Sequence, residues 1–440
     1  MTGLGIIGII VGTILLFYIA LKGYPVYFAA PLCGVIVALF NQVNALTAFK
    51  ETYLSGAASM LITIYPVLLL GGMIAEFYRA SGAATSIALG LYNFSKKASK
   101  SGTPSVVVTF VIINLIGVVL TYGGINGVVV AVIVFPIALE MFKSAGIPRE
   151  IAPAAVLSGS LTASMVMPGS PQLQNVLPMN LLGTSSMAAA IPGFIVGILI
   201  LVANTLILTV MTKKEIAKGN VFTNFDGMPA VNAENLPNPW YSALPLVIVF
   251  CTFNFFGLDV IVALLIGMIL CGFMFVPYFG GFKEVRPLST KAGADACGLT
   301  LIVCSLSAYG TLVAAMPCFT KITEALVNMP GPALIKAAIA LMIVTGVAGS
   351  GPAGIGAGVP MLQPAFAEMG LNLNALHRIA AFSGVALDTM PSNAGINVAS
   401  KLSGFTVMKT YKYAFFTTVF TTSLGTLLVA IMLTLFPTLA

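Results

Sequence analysis

Charged residues are scarce in this chain, and their scarcity excludes a soluble globular fold. Only 8% of the 440 residues are Asp, Glu, Lys or Arg, whereas 58% are hydrophobic; soluble domains carry about 25% charged residues. Apolar runs of about 20 residues, enough to span about 30 Å of hydrocarbon, recur from end to end. These runs are continuous, which excludes the period-two pattern of a membrane β-barrel. The composition predicts an all-α polytopic membrane protein with about 11 to 12 membrane elements.

Histidine and paired cysteines are also lacking, which excludes most metal centres. The chain has one histidine, and its six cysteines lie in apolar runs without a CxxC pair. We expect buried, hydrophobic cysteines, with no metal, no organic cofactor and no catalytic residue. An enzyme is not predicted, because HExxH, GxGD and nucleophile–base patterns are missing. A channel is disfavoured because the polar residues form no continuous stripe.

The charge that is present lies mainly in short basic clusters. The net charge is +7, and the clusters occupy residues 96–100, 213–218, 282–286 and 409–412. Such clusters are typical of cytoplasmic loops, which predicts a multi-pass protein of the inner (plasma) membrane, embedded in lipid and without a nucleic-acid partner. The opening apolar run has no positive n-region and no cleavage site, so we interpret it as the first span rather than a signal peptide.

Two halves of the chain share one order of landmarks. Gly123 and Gly351 are 228 residues apart, as are Pro136 and Pro364, while Pro168 and Pro391 are 223 apart after a small insertion. Repeats in a chain of this size usually relate two halves that meet at a central site. The predicted organisation is a first repeat (residues 1–212), an inter-repeat loop (213–240) and a second repeat (241–440).

Each half contains two polar interruptions of its apolar runs. These four breaks are TYGGING (121–127), MVMPGSPQ (165–172), VAGSGPAGIG (347–356) and LDTMPSNAG (387–395). Irregular backbone at membrane depth is tolerated only inside protein or beside a watery cavity, so the four breaks should meet at one binding site. Each half then contains a re-entrant hairpin and a broken helix, and an odd number of crossings gives repeats of inverted topology.

Hydroxyls, amides and backbone groups occupy the breaks, without any Lys or Arg. The N-terminus of a broken helix can hold a carboxylate without a buried cation, whereas polyanions usually recruit Arg forks. The predicted ligand is therefore a small anion bearing hydroxyls. The candidate substrate-binding residues are Thr121, Tyr122, Gly123, Gly124, Asn126, Ser164, Pro168, Gly169, Ser170, Gln172, Gly349, Ser350, Gly351, Thr389, Pro391, Ser392 and Asn393.

Asp388 is the only acid in the four breaks, and its counterpart in the first half is predicted to be Ala163 or Ser164. Acids inside membranes often relay protons or bind cations, and burial disfavours their ionised form. Asp388 is therefore predicted to carry a coupling proton. Two alternatives are open: a Na⁺ ion held at a break by backbone carbonyls, and a structural salt bridge from Asp388 to His377 or Arg378.

Other charged residues are predicted to be structural. Glu140 and Glu368 close their hairpin arms, and Glu76 with Arg79 has the i,i+3 spacing of a helical ion pair. Asp295, four residues after Lys291, is interpreted as the start of a helix.

The stretch YLSGAASMLITIYPVLLLGGMIAEFYRASGAA and the motif ALDTMPSNAGI resemble the gluconate:proton symporter family. The second motif looks most like that of the D-3-hydroxybutyrate permease branch, with Ser392 where a His is usual. The resemblance implies proton-coupled uptake of a small hydroxylated monocarboxylate of the gluconate or 3-hydroxybutyrate type. A Na⁺-coupled carboxylate transporter of the same architecture is the alternative.

The same resemblance implies an elevator architecture and functional roles for Asp388, Pro391 and Asn393. A scaffold, often dimeric in such proteins, would comprise about residues 4–80 and 241–318, so a homodimer is one expected assembly. The moving transport elements would comprise about residues 104–180 and 332–403.

Overall fold

The structure, a computed structural model, describes residues 2–22, 24–98, 105–231, 234–348, 350–391 and 393–440. Helices make up 80% of the chain, and no strand occurs in the described ranges. Six of the described helices are long and apolar enough to cross a membrane, and five shorter apolar helices accompany them. The prediction of an all-α polytopic membrane protein is confirmed.

The first half begins with two spans and a long helix and ends with another long helix. Its elements are α1 (Thr2–Leu21), α2 (Val26–Phe40), α3 (Ala45–Thr47), a π-helical turn (Ala48–Tyr53), α4 (Leu54–Ala80), α5 (Ala83–Ala98), α6 (Val106–Tyr122), α7 (Gly127–Ala145), a 3₁₀ turn (Arg149–Ile151), α8 (Ala152–Ser160), α9 (Ala163–Val166), α10 (Leu173–Leu182) and α11 (Ala190–Ala217). Helices α6 and α7 form a hairpin, and α8 to α10 form an interrupted helix.

The described elements of the second half follow the same order. They are α12 (Pro239–Asn254), α13 (Val260–Phe275), α14 (Val285–Ala314), α15 (Phe319–Asn328), α16 (Ala333–Ala348), α17 (Gly351–Glu368), α18 (Leu373–Ala386), α19 (Ala394–Leu402), α20 (Val407–Ala414), a π-helical turn (Phe415–Phe420) and α21 (Thr421–Leu435), with 3₁₀ turns at Val276–Tyr278, Phe282–Glu284 and Pro437–Leu439. Helices α16 and α17 form the second hairpin, and α18 with α19 forms the second interrupted helix.

Helices that occupy the same place in the two halves pack against each other in opposite directions. Gly56, near the start of α4, faces Thr311 near the end of α14, whereas Gly72 faces Ala292 further towards the start of α14. The two long helices are therefore antiparallel.

Helices α11 and α21 show the same relation. Val196, early in α11, lies beside Gly425, and Asn204, later in α11, accepts a hydrogen bond from the Thr421 hydroxyl at 2.8 Å. The residue numbers rise along α11 as they fall along α21, so this pair is antiparallel as well.

The first hairpin packs on its interrupted helix through backbone. A Cβ added at Gly159 of α8 would stand 2.8 Å from Cα of Asn114, and one added at Gly117 of α6 would stand 2.7 Å from the Gly159 carbonyl carbon. Such distances are too short for any side chain, so glycine at both positions allows α6 and α8 to touch.

We therefore predict that Gly159→Ala destabilises the protein by about 1–3 kcal/mol, because the methyl group would push apart two packed backbones. The matched control is Gly293→Ala in α14, where an added Cβ would meet nothing within 4 Å; this change should be neutral or stabilise by up to about 1 kcal/mol. Thermal unfolding of the purified protein in detergent measures both. Equal melting temperatures for the two variants would contradict the close packing.

Three sequence-based expectations need correction. Asp295 does not start a helix but lies inside α14, and Lys291 pairs instead with Glu76 of α4 (Nζ–Oε1 2.8 Å), which places charge at a helix–helix junction. The lysine cluster that begins at residue 213 is not loop, because α11 continues to Ala217; basic side chains are favourable in a last helical turn. Cys297 is exposed rather than buried.

The predicted pair of Glu76 with Arg79 is confirmed, with Nη2 and Oε2 2.6 Å apart. Glu76 thus has a cation on each carboxylate oxygen. Two residues of α4 and one of α14 form this three-membered cluster, so the long helices are joined by charge as well as by close packing.

Candidate functional site

The four breaks lie together, as the sequence predicts. Gln174, at the start of α10, lies beside Gly351 and Gly384 of the second half. Gly395, at the start of α19, lies beside Leu161 of the first half. The second segment of each interrupted helix therefore reaches into the break of the other half.

The hairpin tips correspond at a different spacing from the one read off the sequence. Gly127 and Gly351 are the first residues of α7 and α17, and a Cβ on either would overlap a carbonyl oxygen, that of Ser160 or that of Gly384. Both glycines therefore allow a hairpin tip to touch the end of the neighbouring helix. The matching contacts are 224 residues apart, rather than the 228 that pairs Gly123 with Gly351.

The residue that corresponds to Asp388 is also shifted. Leu161, after α8, has φ −118° and ψ 17°, and Leu387, after α18, has φ −119° and ψ 19°. Because these two residues end their helices in the same conformation, the next residues correspond, and Thr162 rather than Ala163 or Ser164 is the counterpart of Asp388. The first half therefore has a hydroxyl where the second has a carboxyl.

Asp388 lies between the N-termini of two helices. Its Oδ1 accepts a hydrogen bond from the N–H of Gly351, the first residue of α17, at 3.0 Å, and another from Nδ2 of Asn393 at 3.2 Å. Asn393 also caps α19, because its Oδ1 accepts the N–H of Gly395 at 2.7 Å. Asp388 is 6% exposed. A carboxylate is favourable at a helix N-terminus, so the protein itself supplies the anion that the start of α17 attracts.

Hydroxyl groups without partners occur on the segments around Asp388. In the described part of the chain, the hydroxyls of Thr345 on α16, Ser383 on α18 and Thr389 in the break are buried and accept or donate no hydrogen bond. Buried polar groups normally find a partner. These three oxygens therefore stay available to a ligand or an ion.

The first break is held by protein side chains throughout. The carbonyl of Pro168 accepts a hydrogen bond from Tyr122, that of Gly169 from Asn254 at 3.0 Å, and that of Ser170 from Asn175 at 2.9 Å. Gln172 crosses to the hairpin tip, where its Nε2 donates to the carbonyls of Thr121 at 2.8 Å and Ile125 at 3.1 Å. The loop and the tip of the first hairpin therefore form one hydrogen-bonded unit.

Arg378, on α18, is fully buried and contacts this first break rather than Asp388. Its guanidinium donates to the carbonyls of Val166, Ser186 (3.3 Å) and Ala188 (2.6 Å) and to Oδ1 of Asn175 at 3.0 Å. No carboxylate pairs with Arg378 among the described residues. The alternative of a salt bridge between Asp388 and Arg378 is therefore wrong.

His377 belongs to the same buried network. Its Nε2 lies 3.1 Å from Oδ1 of Asn175 and its Nδ1 lies 2.6 Å from the Thr184 hydroxyl. Because Asn175 uses its Nδ2 to donate to Ser170 and Ser186, its Oδ1 is an acceptor, which assigns the His377 proton to Nε2. His377 is thus a partner of Asn175 and is not bonded to Asp388.

A cavity of about 510 Å³ opens beside the first hairpin tip and the first break. Three of the predicted site residues line it: Gly124, Asn126 and Gln172. The remaining wall comes largely from α4, α7, α13 and α14. The cavity therefore separates the first hairpin tip from the two long antiparallel helices.

The other predicted site residues have different surroundings. Ser164 and Ser170 are fully buried, and their hydroxyls donate to the carbonyls of Gly159 (2.8 Å) and Ser164 (2.9 Å). Gly123 faces Leu246 of α12, and Ser350 precedes α17 without capping it. Pro391 is exposed, and its carbonyl accepts a hydrogen bond from Asn397 at 2.9 Å. Gly349 and Ser392 lie outside the described residues.

Sequence reasoning missed four polar residues that hold the breaks together: Gln174, Asn175, Asn254 and, as a partner of the first break, Arg378. Gln174 and Asn175 directly follow the MVMPGSPQ motif, so an amide-rich extension of that motif was the available signal. Asn254 ends an apolar helix, and nothing in its neighbourhood indicates that it binds Gly169.

No known family model matches the chain. A relative from Bacillus subtilis (strain 168), described as the uncharacterized transporter YxjC, is 25% identical to it. The match covers 93% of this chain and 94% of the relative, so it extends over both halves and all four breaks.

Proposed function

We propose that this protein is a secondary active transporter of the inner membrane that imports a small hydroxylated monocarboxylate by proton symport. The similarity to a protein described as a transporter supports the general class. One observation carries the finer proposal: a single buried carboxyl, Asp388, accepts the N–H of Gly351 at the tip of a membrane hairpin. Intramembrane acids of this kind are typical of proton relays.

The coupling follows from allowing one negative charge in the site at a time. Without substrate, ionised Asp388 is stabilised by the N-terminus of α17 and by Asn393. A substrate carboxylate nearby would repel that charge, and like charges in a poorly solvated site are costly. Protonation of Asp388 removes the repulsion, so anion and proton bind together and leave together.

The two hairpin tips divide these tasks. The tip of the second hairpin already has the carboxyl of Asp388 at the start of α17. The start of α7 is capped by the neutral side chain of Asn126, whose Oδ1 accepts the Val128 N–H at 3.0 Å, and Asn126 lines the cavity. We therefore place the substrate carboxylate at the first tip and the proton at the second.

Inverted repeats and elevator movement belong to the same proposal. The antiparallel packing of α4 on α14 and of α11 on α21 supports inversion, because each pair occupies the same place in the two halves. Helices α1–α4 and α12–α14 would be the scaffold, possessing the dimer contacts of a homodimer, while the hairpins and interrupted helices would move. Asn254 of α12 would then join scaffold and moving part through Gly169.

The orientation proposed follows from contacts among the basic loops. Arg149 donates to the carbonyl of Ser403 at 3.2 Å and stacks over Phe225, and Lys409 lies 3.5 Å from Glu150. The loop after the first hairpin, the inter-repeat segment and the loop before α20 therefore share one face of the protein. Basic loops favour the cytoplasm.

Na⁺ coupling is the second candidate function. The hydroxyls of Thr345, Ser383 and Thr389 have no hydrogen-bond partner in the described structure, and Asp388 follows directly on the end of α18. Hydroxyl, carboxylate and carbonyl oxygens at the C-terminal end of a half-helix are typical Na⁺ ligands in transporters.

Uptake into proteoliposomes tests the two couplings. Labelled 3-hydroxybutyrate would be offered under an inward proton gradient, an inward Na⁺ gradient, or neither. With one proton per anion and no membrane potential, one pH unit supports about a tenfold accumulation. Accumulation that needs the Na⁺ gradient would favour the second candidate, and no accumulation of any small carboxylate would overturn both.

A further inference from the structure

The cavity beside the first hairpin tip has walls that are mostly hydrocarbon. Its volume, about 510 Å³, falls within the range of about 300–1,000 Å³ typical of small-molecule sites. Its apolar wall includes Val67, Leu68, Val128, Val129, Leu264 and Leu299. Such a surface binds hydrocarbon rather than hydroxyl groups.

The polar part of the lining is small. Asn126 and Gln172 contribute amides, and Gln172 already spends its Nε2 on two carbonyls. Glu76 also lines the cavity, but its carboxylate oxygens pair with Lys291 at 2.8 Å and Arg79 at 2.6 Å. Asp295, the other acid of the lining, is exposed to solvent.

We propose that this cavity is the subsite for the chain of the transported acid, and that it selects short monocarboxylates with a mostly hydrocarbon chain over polyhydroxylated acids. The proposal rests on the proposed function and narrows its substrate class. An acid with a hydroxyl on every chain carbon would leave most of those hydroxyls without partners, which is unfavourable. Each methylene that contacts the wall instead tightens binding by about fourfold.

Two glycines on α14 supply a matched test. A Cβ added at Gly298, which lines the cavity, meets nothing within 4 Å; the same is true of Gly293, which does not line it. Gly298→Val should fill part of the cavity, while Gly293→Val introduces the same residue into the same helix. Gly71→Val fills the cavity from α4, where an added Cβ would meet only the Gly124 carbonyl oxygen at 3.8 Å.

The measurement is KM for proton-driven uptake of 3-hydroxybutyrate and 3-hydroxyhexanoate, with gluconate as competitor. We expect the wild type to prefer the longer apolar chain and to be inhibited weakly by gluconate. Gly298→Val and Gly71→Val should raise KM for 3-hydroxyhexanoate by about tenfold or more, since overpacking by a few carbons is costly, with a smaller change for 3-hydroxybutyrate. Gly293→Val should leave both values unchanged.

The two failures are distinguishable. If gluconate competes as well as 3-hydroxyhexanoate, or if Gly293→Val has the same effect as Gly298→Val, the subsite is overturned while proton-driven uptake still supports the proposed function. If the wild type accumulates none of the three acids, the proposed function fails and the subsite fails with it.

Discussion

Asp388→Asn is expected to abolish accumulation driven by an inward proton gradient while substrate exchange across the membrane continues. The amide has no titratable proton, so the charge of the site no longer changes when the anion leaves. Its oxygen can still accept the N–H of Gly351, which Asp388 Oδ1 accepts at 3.0 Å. Loss of the carboxylate from the N-terminus of α17 should cost about 0.3–1 kcal/mol of stability, too little to unfold the protein.

The measurement compares net uptake with counterflow in proteoliposomes. For the wild type, one pH unit should give about a tenfold accumulation with one proton per anion; for Asp388→Asn the ratio should approach one, with labelled substrate still exchanging for unlabelled. Glu368→Gln is the matched control, because it neutralises an exposed acid at the other end of α17. Gradient-driven accumulation that survives in Asp388→Asn would assign the proton to another group.

The parts of the fold that could be predicted from sequence are those set by local chemistry. Continuous apolar runs specify membrane helices, because length and hydropathy alone satisfy the bilayer. Breaks such as LDTMPSNAG specify interior positions, because their backbone needs partners at membrane depth. The approach of Asp388 to Gly351 follows from the same reasoning, since both belong to breaks that had to meet.

The parts that could not be predicted depend on packing between distant segments. Gly354 was assigned to a hairpin turn but lies within α17, because a Cβ there would overlap the backbone of Thr345 on α16. The spacing of 228 residues between landmarks became 224 at the hairpin tips, because the helix ends, rather than the glycine motifs, set the contacts. Neither fact is visible in a composition or a period.

Arg378 is the clearest case of such long-range dependence. Its neighbour in sequence is His377 and its nearest acid along the helix is Asp388, which made a salt bridge within the second half the obvious alternative. The structure instead directs its guanidinium at carbonyls of the first half, among them those of Ser186 and Ala188. A buried cation of the second repeat therefore holds the break of the first.

Arg378→Gln should strongly destabilise the protein and abolish transport. The change leaves the buried carbonyls of Val166, Ser186 and Ala188 without the donors that Arg378 supplies, and each unsatisfied buried group costs about 1–3 kcal/mol. Arg378→Lys retains the positive charge and up to three donors but lacks the planar fork, so we expect partial recovery of stability. Thermal unfolding in detergent and substrate affinity would be measured for each variant.

The two readouts separate a structural role from an electrostatic one. If Arg378 acts only by holding the first break, stability and affinity should fall together, with Lys intermediate in both. If its charge also attracts the substrate carboxylate, Lys should restore affinity more completely than stability. Arg149→Gln is the control, since Arg149 makes two hydrogen bonds, to Thr223 and Ser403, and is only half-buried; it should cost about 1 kcal/mol. An Arg378→Gln variant that melts with the wild type would refute the role of Arg378 as the support of the first break.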